Sequence, residues 1–276
     1  MKIGTMVSAE LGIDVVSAFR KLKAMDLECC QISIWDPSSY TEENARRILE
    51  AAEETGIEIT ALWAGWTGPK NEWNFRYGPT TLGLVPIAWR AVRSRDLELG
   101  SRFAQLLGIS DMITHVGFLP EDPVQPEFTG TIAAIRDLAI RMRERGQFFL
   151  LETGQETPVT ILRAIEEIGT GNVGVNFDTA NLILYGKANS LDALDMLGPY
   201  VRNTHCKDGF YPTCGTELGR EVPLGEGKAQ IREIVKKLSV MGYTGPLVIE
   251  REILGREQER DILRARDLLR DALAKI

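Results

Sequence analysis

Four residues with metal-binding side chains each end a short apolar run of the chain. They are Glu152, Asp178, His205 and Glu250. Each run is four to six residues long, and a helix-like segment follows each of them. Three carboxylates and one imidazole that meet at a single point would form a divalent-metal site rich in oxygen ligands. Such a site requires a fold that brings these four chain positions together.

The elements around these residues predict a single (β/α)8 TIM barrel over residues 1–276. Apolar runs that alternate with helices indicate buried parallel strands. The predicted strands are 2–7, 29–35, 57–63, 111–116, 148–152, 173–178, 201–205 and 247–250. Eight alternating units favour a barrel over a doubly wound sheet, and no Gly-x-Gly-x-x-Gly follows the first strand. In a closed parallel barrel the carboxyl ends of the strands converge on one mouth, which would aim all four side chains at one point.

Capping signals mark several of the predicted helices. Asp14 is a good N-cap for the first helix, and Gly56 suits the residue just past the end of the second. Thr157 and Pro158 open the helix after the fifth strand, and Ser190 is predicted to cap the helix after the sixth. Long loops follow the third, fourth and seventh strands, on the face where barrel enzymes place their active sites.

Net charge, the N-terminal residues and the cysteines indicate the class of protein. The net charge is -7 and no run of Lys or Arg is long enough for a nucleic-acid or membrane patch, so we expect neither partner. The chain enters a strand directly after Met1, without a signal or transit peptide. Cys29 and Cys30 are adjacent on a strand and would point to opposite faces, so a framework disulfide is not expected. These features favour a reduced cytoplasmic protein.

The predicted site suggests proton transfer at carbon. The four side chains carry a formal charge of -3 and a divalent ion would add +2. A metal held in this way polarises a carbonyl and stabilises the enolate oxygen that forms when the adjacent C–H is deprotonated. Glu152 and Glu250 flank that position, and we assign them both roles, metal ligand and acid/base.

Five sequence motifs resemble those of a known protein family. They are residues 152–154, 176–181, 204–208, 224–227 and 245–252. In this order the chain resembles the sugar phosphate isomerase/epimerase group of the xylose isomerase-like barrels, over essentially its whole length. The resemblance implies one divalent ion, often manganese, bound by Glu152, Asp178, His205 and Glu250. Magnesium, cobalt or zinc are the alternatives. It also implies that the two glutamates shuttle the proton.

Two positions depart from the pattern of the ketose 3-epimerases in this group. Asn181 stands where those enzymes tend to have a histidine. Arg220 lies in the loop after the seventh strand, where they tend to have a substrate-binding arginine, without a clear alignment to it. Both departures weaken the specific 3-epimerase assignment and leave the metal site untouched.

The candidate substrate-binding residues are His115, Asn181, Lys207, Arg220, Trp35 and Trp63. Three of them have a structural alternative. His115 could be a structural histidine at the barrel mouth, Asn181 could start the sixth helix, and Lys207 could pair with Asp208 or Glu226. The Trp-rich loop from 65 to 79 could exclude water from the site or form a subunit interface, so a homo-oligomer is possible.

The leading function is a metal-dependent isomerase or epimerase of a sugar or keto-sugar. A lyase or dehydratase acting through the same enolate is the alternative. A DNA-repair nuclease similar to endonuclease IV is disfavoured, because two histidines are too few for three metals and the charge is acidic. A non-catalytic sugar-binding protein would not need both glutamates.

Overall fold

Eight parallel strands close into a barrel in a computed structural model that describes residues 1–276. The barrel strands are β1 Ile3–Ser8, β2 Cys29–Ile34, β3 Glu58–Ala64, β4 Asp111–Thr114, β5 Phe148–Glu152, β6 Val173–Asp178, β7 Val201–Cys206 and β10 Leu247–Ile249. Each strand pairs with its neighbours in sequence, and β1 closes the barrel against β10. The fold prediction is confirmed. A small antiparallel hairpin, β8 Asp208–Gly209 and β9 Glu221–Val222, lies in the loop after β7.

Helices surround the barrel. They are α1 Val15–Ala24, α2 Glu42–Thr55, α3 Gly78–Thr81, α4 Ile87–Leu106, α5 Pro126–Glu144, α6 Pro158–Ile168, α7 Asn181–Leu184, α8 Ser190–Leu197, α9 Ile231–Val240 and α10 Arg256–Leu273. Each long helix has an apolar stripe that faces the strands. Phe19, Ile48 and Leu138 belong to such stripes, which form much of the main core. None of the helices combines the length and the apolar character that crossing a membrane would require.

Most of the predicted caps are confirmed. The Asp14 carboxylate accepts from the Ser17 N–H, and Gly56 takes the left-handed conformation at the end of α2 with φ 70°. The prediction that Ser190 caps its helix was wrong. Asn189 is the cap, since its amide oxygen accepts from the Leu191 and Asp192 N–H groups, whereas the Ser190 hydroxyl donates to the Thr179 carbonyl.

Strand ends differ from the predicted ends by one or two residues at the mouth of the barrel. β4 stops at Thr114, so His115 is the first residue beyond it, and β10 stops at Ile249, so Glu250 also follows its strand. Glu250 still donates its backbone N–H to the Cys206 carbonyl of β7, which keeps its side chain over the mouth.

Two long loops meet above that mouth. The loop after β3 pairs with the loop after β7 through an antiparallel bridge between Asn74 and Glu217, and the Phe75 N–H donates to the Thr216 carbonyl. All four cysteines are free, in agreement with the expected absence of a framework disulfide.

Candidate metal centre

The fold brings the four predicted ligands together. Glu152 ends β5, Asp178 ends β6, His205 lies in β7 and Glu250 directly follows β10. One ligand atom from each side chain lies within 4.8 Å of all the others. The centre of the group is Nδ1 of His205, which is 2.8 Å from Glu152 Oε1 and 3.3 Å from Glu250 Oε2. Four groups at this spacing can contact one ion after small side-chain rotations, and the cluster suits one ion rather than three.

Asp178 has a buried carboxylate oxygen that is left without a partner. Its Oδ1 accepts from the backbone N–H groups of Ala180 and Asn181, both at 2.7 Å, at the start of α7. Its Oδ2 is buried and has no hydrogen-bond partner, although it lies 3.7 Å from His205 Nδ1. A buried oxygen without a partner costs roughly 1–3 kcal/mol, and more when it is charged, so a cation at this position would satisfy it.

The pKa values of the three carboxyl groups are shifted in different directions. Burial raises the pKa of Asp178 to about 7. Burial also opposes ionisation of Glu152 and Glu250, but nearby basic groups outweigh it. His115 and His205 lower the pKa of Glu152. Lys207 and His205 hold the pKa of Glu250 well below its ordinary value. Without an ion, the negative charges are therefore balanced by protons and by nearby cations.

Lys207 supplies the nearest permanent cation. Its ammonium group is buried and lies 2.6 Å from Glu252 Oε1, 3.2 Å from Glu250 Oε2 and 3.4 Å from Asn181 Oδ1. Burial alone would lower the pKa of Lys207, but Glu250 and Glu252 raise it well above the ordinary value. Lys207 therefore stays charged and is held by acids.

A cavity with a volume of about 320 Å³ adjoins the cluster and is lined by two of its four residues. Glu152 and Glu250 lie in its wall, which shows that both predicted acid/base residues face the same space. Another part of the wall is aromatic: the ring centroids of Trp35 and Trp63 are 4.3 Å apart, and those of Trp35 and Trp73 are 6.2 Å apart. A cavity with a charged side and an aromatic side can bind a polar ring that has one C–H face.

Sequence comparison now agrees with the geometry. The family model of the xylose isomerase-like TIM barrel matches residues 19–272. The chain belongs to this family.

Individual relatives agree with that membership. A xylose isomerase domain protein from Planctomyces limnophilus is 32% identical, with 100% of this chain and 97% of that chain covered and a TM-score of 0.89. A D-tagatose 3-epimerase-like protein is 18% identical, covering 99% of this chain and 97% of that chain with a TM-score of 0.76, which supports the fold alone. An uncharacterized protein of Methanocaldococcus jannaschii is 25% identical over 99% of this chain and 89% of its own length.

Within this xylose isomerase-like barrel, five of the six predicted substrate-binding residues surround the cavity. His115, Asn181, Trp35 and Trp63 line it, and Lys207 lies just behind it on the Glu250 side. Burial lowers the pKa of His115, so its imidazole is neutral at pH 7, and its Nδ1 is buried without a hydrogen-bond partner. That leaves His115 with a free polar atom beside the cavity.

Arg220 lies elsewhere. It is exposed, and its guanidinium stacks 5.2 Å from the centre of the Phe210 ring instead of lining the cavity. β8 and β9 account for this position, because their pairing turns the loop back on itself and keeps Arg220 beside Phe210 on the outside.

The sequence interpretation missed several groups at the site. Tyr185, Arg251, Glu252 and Gln258 also line the cavity, and Gln31 reaches His205 from β2. Gln31 had a detectable signal, an amide between the apolar residues Cys30 and Ile32 of a buried strand. Glu252 lies only two residues after Glu250, whereas Tyr185 and Gln258 lie in helical or loop segments that no strand-end pattern identifies.

Proposed function

We propose that this protein is a divalent-metal-dependent isomerase or epimerase of a sugar or keto-sugar. The observation that carries the proposal is the buried, unpartnered Oδ2 of Asp178 among three other ligand groups, with two glutamates facing one cavity. Membership of the xylose isomerase-like family supports the reaction class.

One divalent ion fits the four side chains Glu152, Asp178, His205 and Glu250. Carboxylate oxygens and one imidazole suit manganese first, with magnesium, cobalt or zinc as alternatives. When bound, such an ion polarises a carbonyl oxygen and makes the neighbouring C–H more acidic.

The two glutamates are the proposed acid/base pair. Both have a lowered pKa and are therefore ionised at neutral pH, as a proton acceptor must be. Glu250 is 17% exposed and opens to the cavity, whereas Glu152 is held on one oxygen by His205 and on the other by the Trp63 indole N–H. Glu250 is thus the more exposed of the two, whereas Glu152 is held on both oxygens.

The cavity favours an uncharged substrate. Each cation near its wall is already paired: Lys207 with Glu250 and Glu252, and Arg251 with Glu221 and Asp261. No positive group is left to bind a phosphate, so we propose an unphosphorylated sugar whose C–H face packs on Trp35 and Trp73.

Isotope exchange tests this function. The Mn²⁺-loaded protein is incubated with D-fructose, D-tagatose and D-psicose in D₂O, and products are analysed by mass spectrometry and proton NMR. We expect one carbon-bound deuterium in the product and in recovered substrate, and about a 10²–10⁴-fold loss of this exchange in Glu152→Gln and Glu250→Gln. Absence of exchange with every free ketose, with Mn²⁺ demonstrably bound, would contradict the proposal for this substrate class.

Elimination is the second candidate, and Lys207 is the observation that favours it. Its buried ammonium lies 3.2 Å from Glu250, so a proton donor lies beside the proposed base. Such a donor could protonate a departing hydroxyl after C–H deprotonation. The same D₂O experiment distinguishes the two, because elimination yields a product lighter by one water.

We also propose a cellular location and a partner for the enzyme. Four free cysteines, three of them buried, are typical of a protein in a reducing compartment, which supports a cytoplasmic location. The proposed partner is the small-molecule sugar.

A further inference from the structure

Three buried amide side chains occupy the interior of the barrel below the four ligands. They are Gln31 on β2, Asn176 on β6 and Asn203 on β7, and they are 0%, 0% and 1% exposed. A buried amide without partners costs stability, so a group of three in a barrel interior needs a compensating network or a function. Gln31 donates from Nε2 to both asparagines, at 2.8 Å to Asn203 Oδ1 and at 3.2 Å to Asn176 Oδ1.

Asp111 fixes the direction of this network. Its Oδ1 accepts from Arg202 Nε at 3.0 Å, and its Oδ2 accepts from Asn203 Nδ2 at 3.3 Å. A carboxylate paired with arginine can only accept, so Asn203 must turn its NH₂ group toward Asp111 and its oxygen toward Gln31. Gln31 must then turn its NH₂ group toward Asn203, which leaves the Gln31 oxygen facing the opposite way.

That oxygen faces His205. Gln31 Oε1 lies 2.7 Å from Nε2 of the imidazole. Because an amide oxygen only accepts, Nε2 must carry the hydrogen, and in the neutral ring the lone pair is then on Nδ1. Nδ1 is the atom that lies among Glu152, Asp178 and Glu250.

We propose that Gln31 is a positioning residue that selects the metal-binding tautomer of His205, with its own orientation set through Asn203 by Asp111. This inference rests on the proposed function, since it requires an ion at the four ligands. Gln31 lies on β2, across the barrel from β6 and β7, and does not line the cavity.

Metal titration of matched variants tests it. Gln31→Met keeps the length and volume of the side chain but removes the acceptor, and we expect Mn²⁺ affinity measured by calorimetry to fall about 10–100-fold. Gln31→Glu keeps an acceptor for Nε2, so its affinity should stay closer to the parent than that of Gln31→Met. Gln147→Met is the matched control: Gln147 is also buried, but it bonds Ser101 near the other end of the barrel.

A second readout does not depend on affinity. The chain has only two histidines, so ¹⁵N-histidine labelling of the Zn²⁺-loaded protein gives two imidazole spin systems, and His115→Gln assigns them. We expect His205 to show a hydrogen on Nε2 that exchanges slowly with water in the parent and in Gln147→Met. In Gln31→Met the same hydrogen should exchange faster.

The outcomes are distinct. Parent-like Mn²⁺ affinity in Gln31→Met, equal loss in Gln147→Met, or a hydrogen on Nδ1 of His205 would each overturn the role of Gln31 and leave the proposed function standing. Failure of the parent to bind any divalent ion would instead remove the proposed function, and this inference with it.

Discussion

The indole N–H of Trp63 donates a hydrogen bond to Oε2 of Glu152, so an aromatic residue from β3 holds a carboxylate that ends β5. The other oxygen of Glu152 lies 2.8 Å from Nδ1 of His205. Trp63 therefore both forms the aromatic wall and orients one of the two proposed acid/base residues. A donor to the ionised form of a carboxylate keeps its pKa low.

Trp63→Phe should raise the pKa of Glu152, because the charge-assisted hydrogen bond is lost. Such a bond contributes roughly 1.5–3 kcal/mol, so we expect kcat/KM to fall about 10–100-fold and the acidic limb of its pH profile to move to higher pH. Trp66→Phe is the matched control, since the Trp66 indole is buried in the same cluster but donates to nothing. An equal shift in both variants would show that ring packing, and not the hydrogen bond, is responsible.

Removal of Lys207 should destabilise the metal-free protein. Breaking a buried ion pair by deleting one partner costs roughly 3–5 kcal/mol, and Lys207 is the permanent cation among Asp178, Glu250 and Glu252. In Lys207→Met we expect a lower unfolding midpoint in EDTA and a larger stabilisation by Mn²⁺ than in the parent, because the ion would then carry more of the charge compensation. Lys236→Met, at an exposed position, should behave like the parent. A Lys207→Met protein that unfolds in EDTA like the parent would contradict this charge balance.

Glu156 should make stability fall as the pH rises. It is buried, neither carboxyl oxygen has a hydrogen-bond partner, and burial raises its pKa to about 8. The folded state therefore holds this proton while the unfolded chain loses it near pH 4.3, so the penalty grows from about pH 4 to above pH 8. Relative to the parent, Glu156→Gln should be nearly neutral at about pH 4 and more stable by roughly 2–5 kcal/mol at about pH 9.

Denaturant titrations across this pH range measure the effect. Glu166→Gln, on the exposed side of α6, serves as the control and should leave the pH profile unchanged. A difference between Glu156→Gln and the parent that does not depend on pH would mean that Glu156 is not protonated in the folded state.

Asp208 should organise the loop between β7 and α9. Its carboxylate accepts from the backbone N–H groups of Gly209, Gly225, Gly227 and Ala229, at distances of 2.8 to 3.0 Å. Asp208→Ala would leave these donors unpaired, and we expect a loss of roughly 2–4 kcal/mol, a raised KM and faster proteolysis within 210–228. Asp195→Ala, on the exposed face of α8, is the control. Unchanged cleavage of this loop in Asp208→Ala would contradict the role.

Strand-end residues were the predictable part of this molecule. A parallel barrel places all its carboxyl strand ends at one mouth, so the apolar runs before Glu152, Asp178 and His205 were enough to predict that these side chains meet. The exact strand ends were less predictable, because the barrel pairs β10 with β7 through only two residues of register and leaves Glu250 just beyond it.

Contacts across the barrel could not be predicted from the sequence. Gln31 and His205 are 174 positions apart, and their hydrogen bond depends on the register of β2 against the rest of the barrel. Trp63 was predicted to contact substrate, but nothing in its surroundings along the chain indicated the bond to Glu152. Arg220 was placed near the substrate by its loop alone, and the β8–β9 pairing within that loop directs it outward.

Calorimetric titration of the metal-free protein with Mn²⁺ shows directly whether the four side chains bind one ion. The parent is compared with Asp178→Asn and with Asp192→Asn, a control at an exposed position on α8. We expect one site per chain in the parent and the control, and a loss of at least about 100-fold in affinity for Asp178→Asn, in which a neutral NH₂ group replaces Oδ2, the atom proposed to bind the ion. Equal binding by parent and Asp178→Asn, or no binding by the parent, would contradict this expectation.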